Sequence, residues 1–327
     1  MDRHALAVME AAESWDWPPT YRIRASGDRG SEFKAIMPRL LSGFVAESQA
    51  LGGTLVDRFW VVVGKCHPRL EENIKILRHA EFSSPLHSET VLFEGVDRET
   101  INFSPIFQMG AELFTHLCVA FMSPGSRKSG SGTPFPVNDL IEKDTDELLQ
   151  MAASEGRGTG KQAALEALPD TIKCIAMLAG TAVRDLVLEQ LDDLGNLIHV
   201  ESNAHAAYDD IYWGIEARNE NGKIKYIYRR VPYETEEGPG IIRLRDGDQI
   251  VFGGGPEAAR LGPGPNPLLC NLRLAVARVL RMSGAADIIA QMIDDGDDTD
   301  FPHVYIASPA FCDILTAQLQ LAGGVLL

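Results

Sequence analysis

The chain has 327 residues, 45% of them apolar, long enough for two domains and able to bury a sizeable core. Its 46 acidic residues against 30 basic ones give a formal charge of −16 and a pI near 4.9. That balance argues against a surface built for nucleic acid, because such affinity comes mainly from lysines and arginines neutralising phosphates.

From the start of the chain, Arg3 to Trp15 has helical spacing through Leu6, Met9 and Ala12, and Pro18-Pro19 stops the run. A longer helix is predicted from Glu32 to Leu51. Phe33, Ile36, Leu40, Leu41, Phe44 and Val45 form its apolar face and Gly52-Gly53 ends it. Phe59 to Lys65 (FWVVVGK) is rich in β-branched residues and predicts a buried strand, whereas Arg69 to His79 returns to helical spacing through Leu70, Ile74 and Leu77.

Ile101 to Met122 is densely apolar, broken only at Pro105, and predicts a buried helix in which His116 and Cys118 are packed core residues. His67, His79 and His87 sit beside prolines or charges and show no ligand spacing. The Gly-, Ser- and Pro-rich run from Ser123 to Pro136 has nothing to bury and reads as a linker. The expected organisation is therefore a helix-rich region over 1–122, a linker over 123–137 and a second domain over 138–327.

Asp139 to Ser154 reads as an acidic amphipathic helix. GRGTGKQ (Gly156 to Gln162) lacks both the four-residue spacer and the Ser/Thr after Lys161 that a phosphate-binding loop needs. Ile172 to Leu191 predicts a helix with a Gly-Thr break.

The stretch from Leu194 to Ala217, LGNLIHVESNAHAAYDDIYWGIEA, concentrates the chemistry. LGNLIHVE predicts a short strand, and SNAHAAYDDIYWGIEA a helix that Ser202 or Asn203 can cap. On that helix His205, Asp209 and Trp213 fall at i, i+4 and i+8, with Tyr208, Tyr212 and Ile215 as the adjacent stripe. A histidine and an aspartate one turn apart can share a proton or hold a metal. The alternative is that Tyr208, Ile211 and Ile215 are core and the imidazole a satisfied polar group near the surface.

Further on, Asn219 to Gly222 makes a turn and Lys223 to Val231 alternates as a strand, with Ile224, Tyr226 and Tyr228 on one face. Ile241 to Leu244 and Gln249 to Phe252 are expected to pair around Arg245-Asp246-Gly247-Asp248. Gly253 to Pro267 reads as a rigid surface excursion and Leu268 to Ile293 as one helix packed on the sheet. The acidic run Asp294 to Asp300 does not match a calcium loop and reads as a solvated connection. His303 to Phe311 predicts a strand and Cys312 to Ala322 a short helix.

The five cysteines, Cys66, Cys118, Cys174, Cys270 and Cys312, are far apart and mostly in apolar runs, so they read as buried free thiols of an intracellular, cytoplasmic protein. Glu10 and Glu13 interrupt the place a signal peptide would need to be apolar, and no uninterrupted apolar run of membrane-spanning length is read. No membrane partner is expected.

Four segments together, Asp193 to Ala217, IKYIYRRVP, the run from IRLRDGDQIVFGGG to AVARVL, and VYIASPAFCDIL, resemble fungal proteins that carry an HNH-nuclease-like domain, over roughly Gly180 to Leu327. The resemblance implies a two-stranded ribbon and a helix that clasp one divalent metal. A first-strand histidine would act as general base, an asparagine would brace the turn and a helix histidine would bind the metal. Asn196 matches the bracing asparagine and His205 the helix histidine. At the first-strand position the nearest counterpart is Gly158 to Asp170, where Leu165 stands for the histidine. Leucine neither takes a proton nor ligates a metal. Leu194 to Leu327 also carries 11 Lys+Arg against 18 Asp+Glu, net −7.

The expected fold is α+β: a helix-rich N-terminal half, then a degenerate HNH-like core with short antiparallel strands. The expected function is that of a nuclease-inactive protein repurposed as a cyclase or isomerase of fungal secondary metabolism, acting on a small apolar substrate without metal or other cofactor. His205, Asp209, Glu201, Tyr208 and Tyr212 are the catalytic candidates. Trp213, Asn196, Asn203 and His199 are the substrate-binding candidates. Two alternatives remain: an endonuclease with a displaced base, for which His199 is the candidate, and a non-catalytic interaction protein.

Overall fold

The computed structural model describes residues 2–15, 29–122, 169–190, 198, 200, 202–231, 243–252 and 264–297. Within them the chain is α+β, a helical body carrying a small three-stranded antiparallel sheet. The helices are α1 (Asp2–Ala11), α2 (Arg29–Leu51), α3 (Leu55–Lys65), α4 (Pro68–His79), α5 (Pro85–Leu92), α6 (Ser104–Met122) and α7 (Pro169–Gln190). After them come α8 (Ser202–Asp209), β1 (Trp213–Glu220), β2 (Lys223–Arg230), β3 (Gln249–Ile250), α9 (Pro267–Ser283) and α10 (Ala285–Asp297).

The body is built around α2. Its residues Phe33, Ile36, Met37, Leu40, Leu41, Phe44 and Val45 are all buried at the 3.6-residue period, as the sequence predicts. Helices α1, α3, α7, α9 and α10 pack around it. One apolar cluster runs from Ala5 to Ile289 and joins Phe44 of the first half to Leu272, Val276 and Leu280 of the second. The linker expected over 123–137, the helix expected over Asp139 to Ser154, Gly156 to Gln162 and Leu165 lie outside the described residues, as do Cys312 and the elements expected after residue 300.

The run FWVVVGK is not a strand. It belongs to α3, in which Leu55, Val56, Phe59, Trp60, Val62 and Val63 are buried and Val61 faces out. β-branching favours a strand by only a few tenths of a kcal/mol per residue, and burying a whole apolar face outweighs it.

Helix α6 begins at Ser104, so Pro105 sits in the first turn, where its missing N–H costs nothing. It contains a π-helical turn over Phe114–Val119. Its 19 residues are long and apolar enough by composition to cross a bilayer, yet most of them are buried in the fold. Phe107 and Phe114, for example, meet the Phe33 ring at 5.3 and 5.1 Å. The apolar surface thus serves the protein's own core. Cys118 is fully buried there and His116 half-buried.

The break expected in α7 falls at Gly180, with φ of 85°. The single helix expected over Leu268 to Ile293 is instead two, α9 and α10, because Gly284 turns left-handed with φ of 87°. Asp294, Asp295 and Asp297, expected in a solvated connection, continue α10.

In the sheet, β1 and β2 pair from Trp213↔Arg230 to Glu220↔Lys223 across an Asn221-Gly222 turn with positive φ at both residues. The turn at Arg245 to Asp248 forms, with Asp248 N–H donating to Arg245 O at 2.9 Å. Its outgoing strand β3 pairs with β2, however, and Arg243-Leu244 carries no strand. Tyr226 and Tyr228 already bury one face of β2, so pairing there adds Ile250 to an existing apolar surface. A second, smaller cluster of Ala204, Trp213, Ile215, Ala217, Tyr226, Tyr228 and Cys270 fills the space under the sheet.

Candidate functional site

The helix α8 is shorter than expected. It ends at Asp209, and Trp213 to Glu220 is strand β1, so the stripe His205, Asp209, Trp213 does not exist as a helix face. From Trp213 onward Trp213, Ile215 and Ala217 are buried at a period of two. That alternation overlaps the i, i+4 pattern upstream, and only the cluster beneath β1 separates the two periods. Ile198 and Val200, of the strand expected before α8, are not in a strand.

Two faces of α8 do different work. Ala204 is fully buried, and its carbonyl accepts from Trp213 Nε1 at 2.9 Å. Tyr208 stacks at a tilt on Trp213, with ring centres 4.9 Å apart, and Trp213 in turn meets Tyr228 at 5.6 Å. Burial pushes the Tyr208 phenol above its ordinary range, against the pull of the Arg273 guanidinium beside it. On the opposite face His205 Nδ1 lies 3.2 Å from Asp209 Oδ2, with the two side chains 46% and 43% exposed.

The corner between α8 and β1 is tight. Ile211 N–H and Tyr212 N–H donate back to the carbonyls of Tyr208 and Ala207 at 3.1 and 2.9 Å. Ile211 takes φ of 57°, a conformation that a β-branched residue adopts at a cost of about 1–3 kcal/mol. Its side chain is 1% exposed and belongs to the large helical core, which is what holds it there.

Helix α9 grips the same corner. Arg273 Nη2 donates to Tyr208 O, and its Cζ lies 4.1 Å over the Tyr208 ring. Two turns on, Arg281 Nη2 donates to Asp210 O at 2.6 Å and its Cζ lies 4.2 Å over Tyr212, which is 44% exposed. These arginines were missed from sequence. They lie more than 60 residues downstream, and no local pattern ties them to α8.

On the sheet, Arg229 bridges Glu216 at 2.5 Å and Asp246 at 3.0 Å. Burial works to raise the Glu216 carboxyl, but hydrogen bonds from Arg218 and Arg229 outweigh it and hold it below the ordinary range.

Of the residues expected to form the site, His205 and Asp209 are brought together, and Tyr208 and Trp213 stack on one another on the other face of α8. Tyr212 is exposed at the corner, and Asn203 is exposed in the first turn of α8. Glu201, Asn196 and His199 lie outside the described residues. Among the described residues no three His, Cys, Asp or Glu side chains are grouped to hold a metal ion. His205 and Asp209 are two such side chains, engaged with one another.

The four described cysteines, Cys66, Cys118, Cys174 and Cys270, are buried free thiols. Burial pushes Cys66, Cys174 and Cys270 up to about 12, so none is a ready nucleophile. No family model matches the chain, and no curated protein or solved structure matches it either.

Proposed function

We propose that this chain is an HNH-nuclease-like protein that has lost phosphodiester hydrolysis and works as a metal-independent cyclase or isomerase on a small, largely apolar metabolite, in secondary metabolism. The observation that carries the reading is the His205–Asp209 pair, 3.2 Å apart on the open face of α8. A carboxylate at Nδ1 keeps a proton on that nitrogen and leaves Nε2 as the working one.

Such a pair suits a reaction that only relocates a proton. Nε2 takes H⁺ from carbon, the released electron pair shifts the double bond, and the imidazolium returns H⁺ at the far end. The product is an isomer of the substrate, and no oxidant or reductant is consumed. General acid–base catalysis of this kind contributes about 10²- to 10⁴-fold. The net negative charge, and the leucine (Leu165) that the resemblance aligns with the first-strand histidine, support the loss of nucleolysis.

The test is incubation of the protein with a panel of small apolar metabolites, scored by mass spectrometry for products of unchanged mass and altered retention. Conversion should persist in a chelator and be lost in His205→Ala. Conversion unchanged in His205→Ala would remove the proposed site. Cleavage of plasmid DNA that depends on magnesium or manganese would replace the reading with an endonuclease.

A further inference from the structure

The proposed pair, His205 and Asp209, lies on an open face of α8. Both side chains are nearly half exposed, and an exposed i, i+4 pair on a helix as short as α8 is by itself formed only part of the time. Its orientation has to come from the backbone that carries it. That backbone is held at four successive places. The Tyr208 carbonyl takes Arg273, the Asp210 carbonyl takes Arg281, the Ile211 side chain is sunk in the helical core, and the Tyr212 ring lies under Arg281.

Asp209 sits between the two gripped carbonyls, and His205 is one turn before it. The carbonyls at a helix C-terminus carry partial negative charge, which two guanidiniums complement. A left-handed isoleucine at the same point persists only because its surroundings over-determine it.

We propose that Arg273 and Arg281 of α9 are positioning residues that hold the last turn of α8 so that Asp209 stays on Nδ1 of His205, an inference that rests on the acid–base reading above. Neither arginine is a catalytic residue. Each acts through the carbonyl it bonds and the ring it covers. Lysine would keep the charge but neither the planar stack nor the fork of donors, so it should not substitute.

The experiment is ¹⁵N NMR of the histidine rings in the full chain without substrate, His205 being assigned by comparison with His205→Gln. In the wild type the Nδ1–H tautomer should predominate. Arg273→Gln and Arg281→Gln should each lower the ratio of Nδ1–H to Nε2–H about tenfold, towards that of a free imidazole. Arg281→Lys should behave like Arg281→Gln. Arg278→Gln, whose arginine sits on the same helix but faces Glu47 at 3.6 Å, should leave the ratio unchanged.

The proposal is overturned if folded Arg273→Gln and Arg281→Gln keep the wild-type ratio, or if the wild type shows no preference for Nδ1–H. Should Arg273→Gln not fold, the two Arg281 variants decide it. Because the ratio is read without turnover, its outcome is separate from whether His205→Ala abolishes conversion.

Discussion

The side-chain amide of Asn271 lies along the outer edge of β1 and satisfies both backbone polar groups of Ala217. Ala217 N–H donates to Asn271 Oδ1 at 2.8 Å, and Asn271 Nδ2 donates to Ala217 O at 2.9 Å. The carboxamide thus stands in for one residue of a neighbouring strand and couples α9 to the sheet. It also closes part of an edge that would otherwise invite pairing with another chain.

Asn271→Leu should therefore leave an N–H and a C=O without partners and destabilise the protein by about 2 kcal/mol. Urea denaturation followed by far-ultraviolet circular dichroism measures this. An unchanged midpoint would mean that water replaces the amide at no cost.

Gly53 tolerates no side chain. A Cβ there would lie 2.1 Å from Leu178 O and 2.5 Å from Met177 O, both backbone atoms of α7, and Thr54 N–H bonds the latter at 2.9 Å. Neither backbone can yield without moving a helix. Gly53→Ala should cost more than the about 1–3 kcal/mol usual for overpacking, whereas Gly222→Ala, which meets nothing within 4 Å, should show only the strain of its left-handed turn. Thermal melts of the two variants side by side provide the comparison.

His4 is 3% exposed, with Nδ1 2.8 Å from Ser88 Oγ, Nε2 3.3 Å from Ala80 O and its ring edge-on to Phe82. Burial holds its imidazole below the ordinary 6.5, against the pull of the Ala80 carbonyl. The unfolded chain therefore binds the proton first. The contribution of His4 is fully present above the unfolded value and is lost as pH falls below it. Stability should drop as pH falls below about 6.5 in the wild type, and less steeply in His4→Gln. Equal slopes in the two proteins would dismiss His4 as the titrating group.

Asp209→Asn should lower any His205-dependent conversion by about 10²-fold or more, by releasing the ring from its tautomer. Because both side chains are exposed, the same change should shift stability by less than about 1 kcal/mol. A large loss of stability with intact conversion would reverse the roles assigned to the pair.

Trp213→Phe keeps the ring stack with Tyr208 and Tyr228 but removes the donor to Ala204 O. A loss of about 1 kcal/mol is expected. It should be accompanied by faster amide exchange in α8, since that bond fastens the helix to the sheet. Uniform exchange changes across the whole chain would argue against a local fastening.

Much of the architecture was legible in the residues themselves. The face of α2, the helices over Arg69 to His79 and Ile101 to Met122, the glycine break in α7 and the alternation of β2 follow from apolar spacing and from glycine's access to positive φ. The His205–Asp209 contact was readable as well, because four residues make one helical turn. What failed were the places where two periods compete. FWVVVGK reads locally as a strand, and YWGIEA reads locally as helix.

Sequence alone determined the negative charge, the scatter of cysteines, the amphipathic helices and a histidine one turn from an aspartate, since these depend on composition and on neighbours within a turn. Only the tertiary structure decided where α8 stops, which strand Gln249-Ile250 pairs with and which arginines reach the corner at Ile211. Those outcomes depend on which apolar surface lies underneath and on what α9, more than 60 residues away, presents to it. Burial energy summed over such distant contacts exceeds the local preferences of single residues, so no window of the sequence contains the answer.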